Sequence, residues 1–175
     1  MFSAILIILV VIIVAVLIYA ATRPNDFVTI RTATIKAPAE TIFPLINDFG
    51  RWPTWSPYEK LDPNMKRTLS GAASGKGAAY AWEGNGKAGK GRMEIVNSVP
   101  SSQVALKLDF EKPFRANNSV DFTLTPSGDT TAVSWAMRGS RPFIAKLMGL
   151  FMNFDTLIGR DFEIGLANLK RNTEA

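Results

Sequence analysis

From Ala4 to Ala21 the chain carries no charged side chain, and most residues in the run are Ile, Leu or Val. About 18 such residues is the length at which a bilayer-crossing helix becomes the default reading. On a translocon scale the run favours insertion by roughly 4–8 kcal/mol. β-Branched residues are poor helix formers in water, but in lipid the backbone polar groups have no partners except one another. A cleaved signal peptide would show a basic start, a shorter apolar core and a small-residue cleavage site. This segment begins Met1-Phe2-Ser3 without Lys or Arg, and only Ala20-Ala21 looks like a cleavage site. Residues 1–24 therefore read as a single transmembrane anchor, with Tyr19 at the interface and Arg23-Pro24 ending the helix. Arg23, Arg31 and Lys36 lie C-terminal to the span, and the positive-inside rule places the rest of the chain in the cytoplasm.

Residues 25–175 have the length of one ordinary domain and can bury a core without staples. The sequence contains neither Cys nor His. Disulfides, thiolate zinc sites, cysteine nucleophiles and imidazole bases are thereby excluded, and no metal or cofactor is expected. The net charge of +5 suits an anionic bilayer surface. The basic residues are dispersed rather than clustered on a recognisable module, so no nucleic-acid partner is expected.

Residues 27–36 alternate, with Phe27, Thr29 and Arg31 on one side and Val28 and Ile30 on the other, and read as a first strand. Pro38-Ala39-Glu40 opens a helix whose stripe is Ile42, Phe43, Leu45, Ile46 and Phe49, and Gly50 is expected to end it. The segment Trp52-Pro53-Thr54-Trp55-Ser56-Pro57-Tyr58 is too proline-broken for a long helix or a central strand. Strand patterns occupy 65–69, 77–83, 92–96, 104–111, 119–125 and 131–138, joined by turn residues such as Asn85-Gly86 and Ser127-Gly128-Asp129. From Pro142 apolar residues recur at three and four, predicting one long amphipathic helix to about Asn172. This order predicts an α+β domain in which the last helix covers the apolar face of an antiparallel sheet.

Ile35-Lys36-Ala37-Pro38-Ala39-Glu40-Thr41-Ile42-Phe43, then Leu45-Ile46-Asn47-Asp48-Phe49, then Trp52-Pro53-x-Trp55-Ser56-Pro57, resembles the START-related (SRPBCC) helix-grip superfamily, in its polyketide cyclase/dehydrase-like branch. The resemblance spans about residues 27 to 171. It implies a helix-grip fold, a curved antiparallel sheet wrapped around a long C-terminal helix, with a cavity for apolar or amphipathic ligands. The strand faces expected to line it carry Tyr80, Trp82, Met93, Leu106, Leu108, Phe110, Phe122, Trp135 and Met137. Trp55 and Tyr58 would form its lip, Phe151 and Phe154 would close it from the helix, and Asn118, in phase with Phe122, would orient a ligand.

Gly84-Asn85-Gly86-Lys87-Ala88-Gly89-Lys90 has the spacing of a phosphate-binding loop. Gly91 stands where Ser or Thr is required, however, and a strand pattern begins where a helix should start, so a glycine-rich hairpin is expected. Asp109, Glu111 and Glu83 fall on the outer strand faces. Glu59 and Asp155 could approach a cavity, but no pair has a spacing that argues for acid–base work, and no catalytic residue is assigned. Three readings stay open: a membrane-anchored binder of an apolar small molecule such as a lipid, a cyclase/aromatase-like enzyme, and a ligand-free tethered scaffold. If the N-terminal run is an anchor, the chain should resist alkaline carbonate extraction with Met1 retained. A mature N-terminus near Thr22 would reveal a cleaved signal peptide instead.

Overall fold

The computed structural model describes residues 2–175; Met1, the first residue of the 1–24 segment, lies outside the described residues. Helix α1 (Phe2–Thr22) is long and apolar enough to cross a membrane, and almost all of its side chains face outward. Strand β1 (Asp26–Ile35) and helix α2 (Ala39–Asn47) come next. Two short 3₁₀ turns carry the tryptophan segment. The chain then runs through β2 (Lys66–Gly71), β3 (Ala78–Glu83), β4 (Lys90–Val99), β5 (Gln103–Lys112), β6 (Ala116–Ser127) and β7 (Thr130–Ser140). It closes with α3 (Phe143–Met148) and α4 (Phe154–Glu174). The seven strands form one antiparallel sheet in the order β1-β7-β6-β5-β4-β3-β2, so β1 returns to pair with the last strand of a meander.

Register places the alternating apolar residues on one face. Tyr80, Met93, Leu108, Asn118, Gly139 and Phe27 stand opposite one another in a row across β3, β4, β5, β6, β7 and β1. Two irregularities in β4, at Lys90/Gly91 and Ile95/Asn97, bend the strand and help the sheet curve. At Gly91 a side chain would collide with the Trp82 ring, which lies across the strand there.

The connection after α2 is held by hydrogen bonds as much as by packing. Trp52 Nε1 donates to Ile46 O at 3.0 Å and Trp55 Nε1 to Leu45 O at 2.9 Å. Both carbonyls belong to the last turn of α2, where helical partners run out. The helix stops at Asn47, before Gly50, because Asp48 turns out of helical geometry and accepts the Gly50 N–H at 2.8 Å. The two indoles, Phe122, Trp135 and Phe162 then form a continuous aromatic core with neighbouring centroids 4.1–6.2 Å apart.

The closing helix departs from expectation. Its predicted single span is two helices, because the chain leaves helical geometry after Gly149 and restarts where the Asn153 side chain accepts the Thr156 N–H. The apolar spacing runs through the break and so hides it. Helix α4 packs mainly on β1, β7, α2 and the Pro57 turn. Two glycines permit the close approach: the Arg31 guanidinium lies over Gly159, and Trp135 sits against Gly165. Trp135 also stacks on Phe162 at 4.1 Å with the rings 8° from parallel.

A Cβ at position 165 would stand 2.7 Å from Trp135 Cζ3 and 3.2 Å from Pro57 Cδ. Gly165→Ala should therefore destabilise the fold by about 1–3 kcal/mol through overpacking, although Ala raises helix propensity by about 1 kcal/mol. Urea denaturation of parent and variant measures the difference.

Candidate ligand-binding cavity

Helix α4 covers the β1–β7 side of the curved sheet, and the concave face of β3–β5 beyond it is not filled. A partly open cavity of about 650 Å³ lies there, within the range of small-molecule sites. Its wall combines the inner faces of β3–β7 with the Ser56–Glu59 segment, α3, and Phe154, Ile158, Asp161 and Phe162 of α4. The Lys87–Ala88 end of the glycine-rich hairpin and the turn Pro113–Ala116 complete it. That hairpin is held as a turn: Trp82 Nε1 donates to Ala88 O at 2.9 Å, and Asp62 accepts the Asn85 N–H at 2.7 Å.

The residues singled out from sequence divide between cavity and core. Tyr58, Tyr80, Trp82, Met93, Leu106, Leu108, Phe110, Asn118, Trp135, Met137 and Phe154 line the cavity. Trp55 and Phe122 lie inside the aromatic core instead, each almost without exposure. Trp55 is drawn there by its bond to Leu45 O and by Asn168 Nδ2, which donates to Trp55 O at 2.8 Å. Phe122 has the expected inward parity, but the tryptophan segment and Trp135 cover it at its position along β6. Phe151 is 80% exposed, because the break between α3 and α4 takes it off the helical stripe.

The polar groups on this wall are few. Glu59 is buried, yet both its oxygens are engaged: Tyr80 Oη donates to Oε1 at 2.7 Å and Arg67 Nε to Oε2 at 2.6 Å. Arg67 Nη2 also donates to Glu59 O at 2.8 Å. A carboxylate held this way is a structural tie between the Pro57 turn and β2, not a free base. Burial, and then the bond to Glu59, push the Tyr80 hydroxyl far above the usual phenol range. Burial, and then the charge of Asp161, do the same to Tyr58. Both phenols are neutral donors at physiological pH.

Three buried polar atoms have no partner among the described residues: Ser56 Oγ, Asn118 Oδ1 and Trp135 Nε1. All three residues line the cavity. Asn118 interrupts an otherwise apolar row, and its amide occupies the space that a side chain at Gly139 would take. Gly139 stands four positions along β7 from Trp135, about 13 Å on a strand.

Asp155 turns away from the cavity to β1, where Arg31 Nη2 meets its Oδ2 at 3.1 Å and Arg31 Nε meets Glu163 Oε1 at 2.9 Å. Asp161, Ser56 and Arg67 escaped the sequence reading. Asp161 did leave a signal, standing three residues after Ile158 and next to Phe162 on the apolar stripe. Arg67 left none, because its partner Glu59 is joined to it only by the turn between them. Among the described residues no group of acidic side chains is arranged to hold a metal ion.

A curved sheet gripping a C-terminal helix around an apolar cavity defines the helix-grip class. Solved structures share it: the ginseng major latex-like protein 151 from Panax ginseng has a TM-score of 0.63 at 16% identity, over 86% of this chain and 99% of that one. The Aha1 dimer protein from Colwellia psychrerythraea gives 0.60 at 16% identity, covering 85% and 96%. A Thermobifida fusca protein solved by NMR gives 0.63 at 20%, covering 83% and 92%. A comparison with curated proteins gave no match. Residues 28–174 match the family described as "Polyketide cyclase / dehydrase and lipid transport", and the chain belongs to that family.

Burial raises the Asp161 carboxyl above its ordinary range, against the lowering effect of Arg160. The folded chain thus binds this proton more tightly than the unfolded chain does. Its contribution is fully present below the ordinary carboxylate range and is lost as pH rises through the raised value. Asp161→Asn removes that loss. The variant should melt above the parent at neutral pH, and the gap should close as pH falls into the acid range, as followed by circular dichroism.

Proposed function

We propose that the chain is a membrane-anchored protein that holds an apolar or amphipathic small molecule, such as a lipid, in the cavity between sheet and C-terminal helices. In this reading residues 1–24 are the anchor and 25–175 the binding domain. Arg23, at the end of α1, then lies near the headgroups and favours the cytoplasmic side, whereas Lys36 stands at the far end of β1 beside Asp129 and contributes little. Arg31 contributes less to that bias, since its charge is matched by Asp155 and Glu163.

The observation that carries the reading is the wall itself: about 650 Å³ of mostly apolar lining, with Tyr58, Asn118 and Asp161 among its few polar side chains. Interdigitated side chains would leave no such space in a ligand-free scaffold. A molecule with an apolar body and a hydroxyl, carbonyl or carboxyl end fits this distribution. The lipid-transport half of the family description agrees with it.

Asp161 favours a second reading, because it is an ionisable group on the wall with a raised pKa and no tie like that of Glu59. As a cyclase-like enzyme, the protein would use Asp161 to move a proton while the cavity shapes the substrate. Turnover of a reactive apolar substrate that Asp161→Asn abolishes, with binding intact, would favour it.

Binding is read from the intrinsic tryptophan fluorescence of the detergent-solubilised full chain titrated with fatty acids. Saturable quenching or a spectral shift is expected, since Trp82 and Trp135 line the cavity. Leu108→Trp adds bulk on the cavity wall and should weaken uptake at least tenfold, at a stability change of no more than about 1–3 kcal/mol. Undiminished uptake by that variant, or none by the parent across a broad lipid panel, would move the scaffold reading ahead.

A further inference from the structure

Exposed residues of the cavity wall and the end of α1 lie at the same pole: Ile144 and Met148 of α3 line the cavity, and α3 packs on α1. Arg23, Pro24 and Asn25 alone separate α1 from β1. The last turn of α1 packs on α3, burying Ala20 completely. Asn25 fastens the junction: its carbonyl accepts the Arg141 N–H at 2.5 Å, and its Oδ1 accepts Lys146 Nζ at 2.6 Å. The domain therefore has no tether on which to stand away from whatever α1 enters.

The same pole exposes large apolar side chains that the fold does not use. Phe143, Ile144, Met148 and Met152 are exposed along α3 and the turn after it, and Phe151 is 80% exposed. Across the cavity opening, Phe114 is 58% exposed on the turn between β5 and β6. Ile144, Met148 and Phe114 also line the cavity, so the outer patch is continuous with the inner wall, with Arg115 and Arg141 beside it. Patches this continuous mark interaction sites. The charges beside it are mainly cationic: Arg23, Arg115 and Arg141 lie next to the patch, residues 142–152 contain no Asp or Glu, and the neighbouring Asp155 is paired with Arg31. Arg23 lies over the Tyr19 ring at 4.9 Å, an aromatic–cation pair suited to the headgroup layer.

We propose that this lip, formed by α3, the turn after it and the Phe114 turn, rests in the interfacial layer of the bilayer that α1 enters, so that the cavity opens onto lipid and not onto water. The proposal rests on the reading of α1 as a membrane span. It identifies the source of the ligand as the bilayer itself. An apolar molecule entering between Phe114 and α3 would pass from acyl chains to cavity wall without an aqueous step. Cationic side chains around an apolar face are the arrangement by which surface-lying segments hold to anionic lipid.

The absence of native Cys makes the test clean. Single cysteines replace Val11, Phe114, Phe151 or Asp129 in the full chain, each labelled with an environment-sensitive nitrobenzoxadiazole dye. The proteins are reconstituted in phosphatidylcholine–phosphatidylglycerol vesicles carrying nitroxide lipids at shallow or deep positions. Asp129 lies at the far end of β7, about 33 Å away along the strand, and reports the opposite pole. Expected are deep quenching at Val11, a blue shift with shallow quenching that removes most of the signal at Phe114 and Phe151, and no quenching at Asp129.

Quenching at Val11 with none at Phe114 and Phe151 overturns the docked lip and leaves the anchor standing. No quenching at Val11 overturns the anchor, and the lip with it. A blue shift at Phe151 without quenching shows the patch covered by a second copy, which also overturns the proposal. For the route of entry, Phe151→Asp should slow uptake of a fluorescent fatty acid from vesicles severalfold while leaving its equilibrium binding from solution unchanged. Unaltered entry from vesicles overturns the route. Absent binding from solution in the parent would instead be the failure of the binding reading.

Discussion

Two indole N–H groups hold this domain together. Trp52 and Trp55 donate to the carbonyls of Ile46 and Leu45, closing the end of α2 with side chains from the segment just beyond it. Once those bonds form, the rings are committed to the interior, where they meet Phe122 and Trp135 and, through Trp135, Phe162 of α4. One local constraint thus aligns a short helix, the sheet and the closing helix. It also explains the residue pattern: the prolines around the two tryptophans keep the segment from continuing as helix or strand, and leave it the tight turns that aim both indoles back.

The cavity arises from an imbalance between sheet and helix. Seven strands present more concave apolar surface than one helix covers, and the glycines at 159 and 165 draw α4 tightly toward the β1–β7 side. Close packing on that side leaves open space over β3–β5. Of the two carboxylates on the wall, Glu59 is tied off by Arg67 and Tyr80. The shifted phenols remain neutral donors. These features support binding more strongly than catalysis, with Asp161 the exception that keeps an enzymatic reading in play.

The pole that carries α1 also carries the opening and the exposed side chains of α3. In a wholly aqueous setting those apolar groups would serve no purpose that the fold reveals. Beside a bilayer, as proposed, they would continue the apolar environment of the cavity into lipid. Arg23, Arg115 and Arg141 lie beside them, which suits the sign of an anionic leaflet.

The sequence by itself determined most of the elements and the inward face of the central strands, because alternation and helical spacing follow from burial. The apolar length of α1, the family pattern and most of the wall, from Tyr80 and Trp82 to Met137, were legible in the same way. Tertiary structure alone decided which inward residues meet protein and which meet empty space. Trp55 and Phe122 share the apolar pattern of their neighbours yet are core, since the distinction depends on where α4 and the tryptophan segment come to rest. The break after Gly149 was hidden because apolar spacing of three and four survives a short turn, and that break puts Phe151 on the surface. The Glu59–Arg67 tie and the isolation of Asn118 were equally out of reach. Partnership of polar groups depends on distances between segments, and a linear pattern does not contain them.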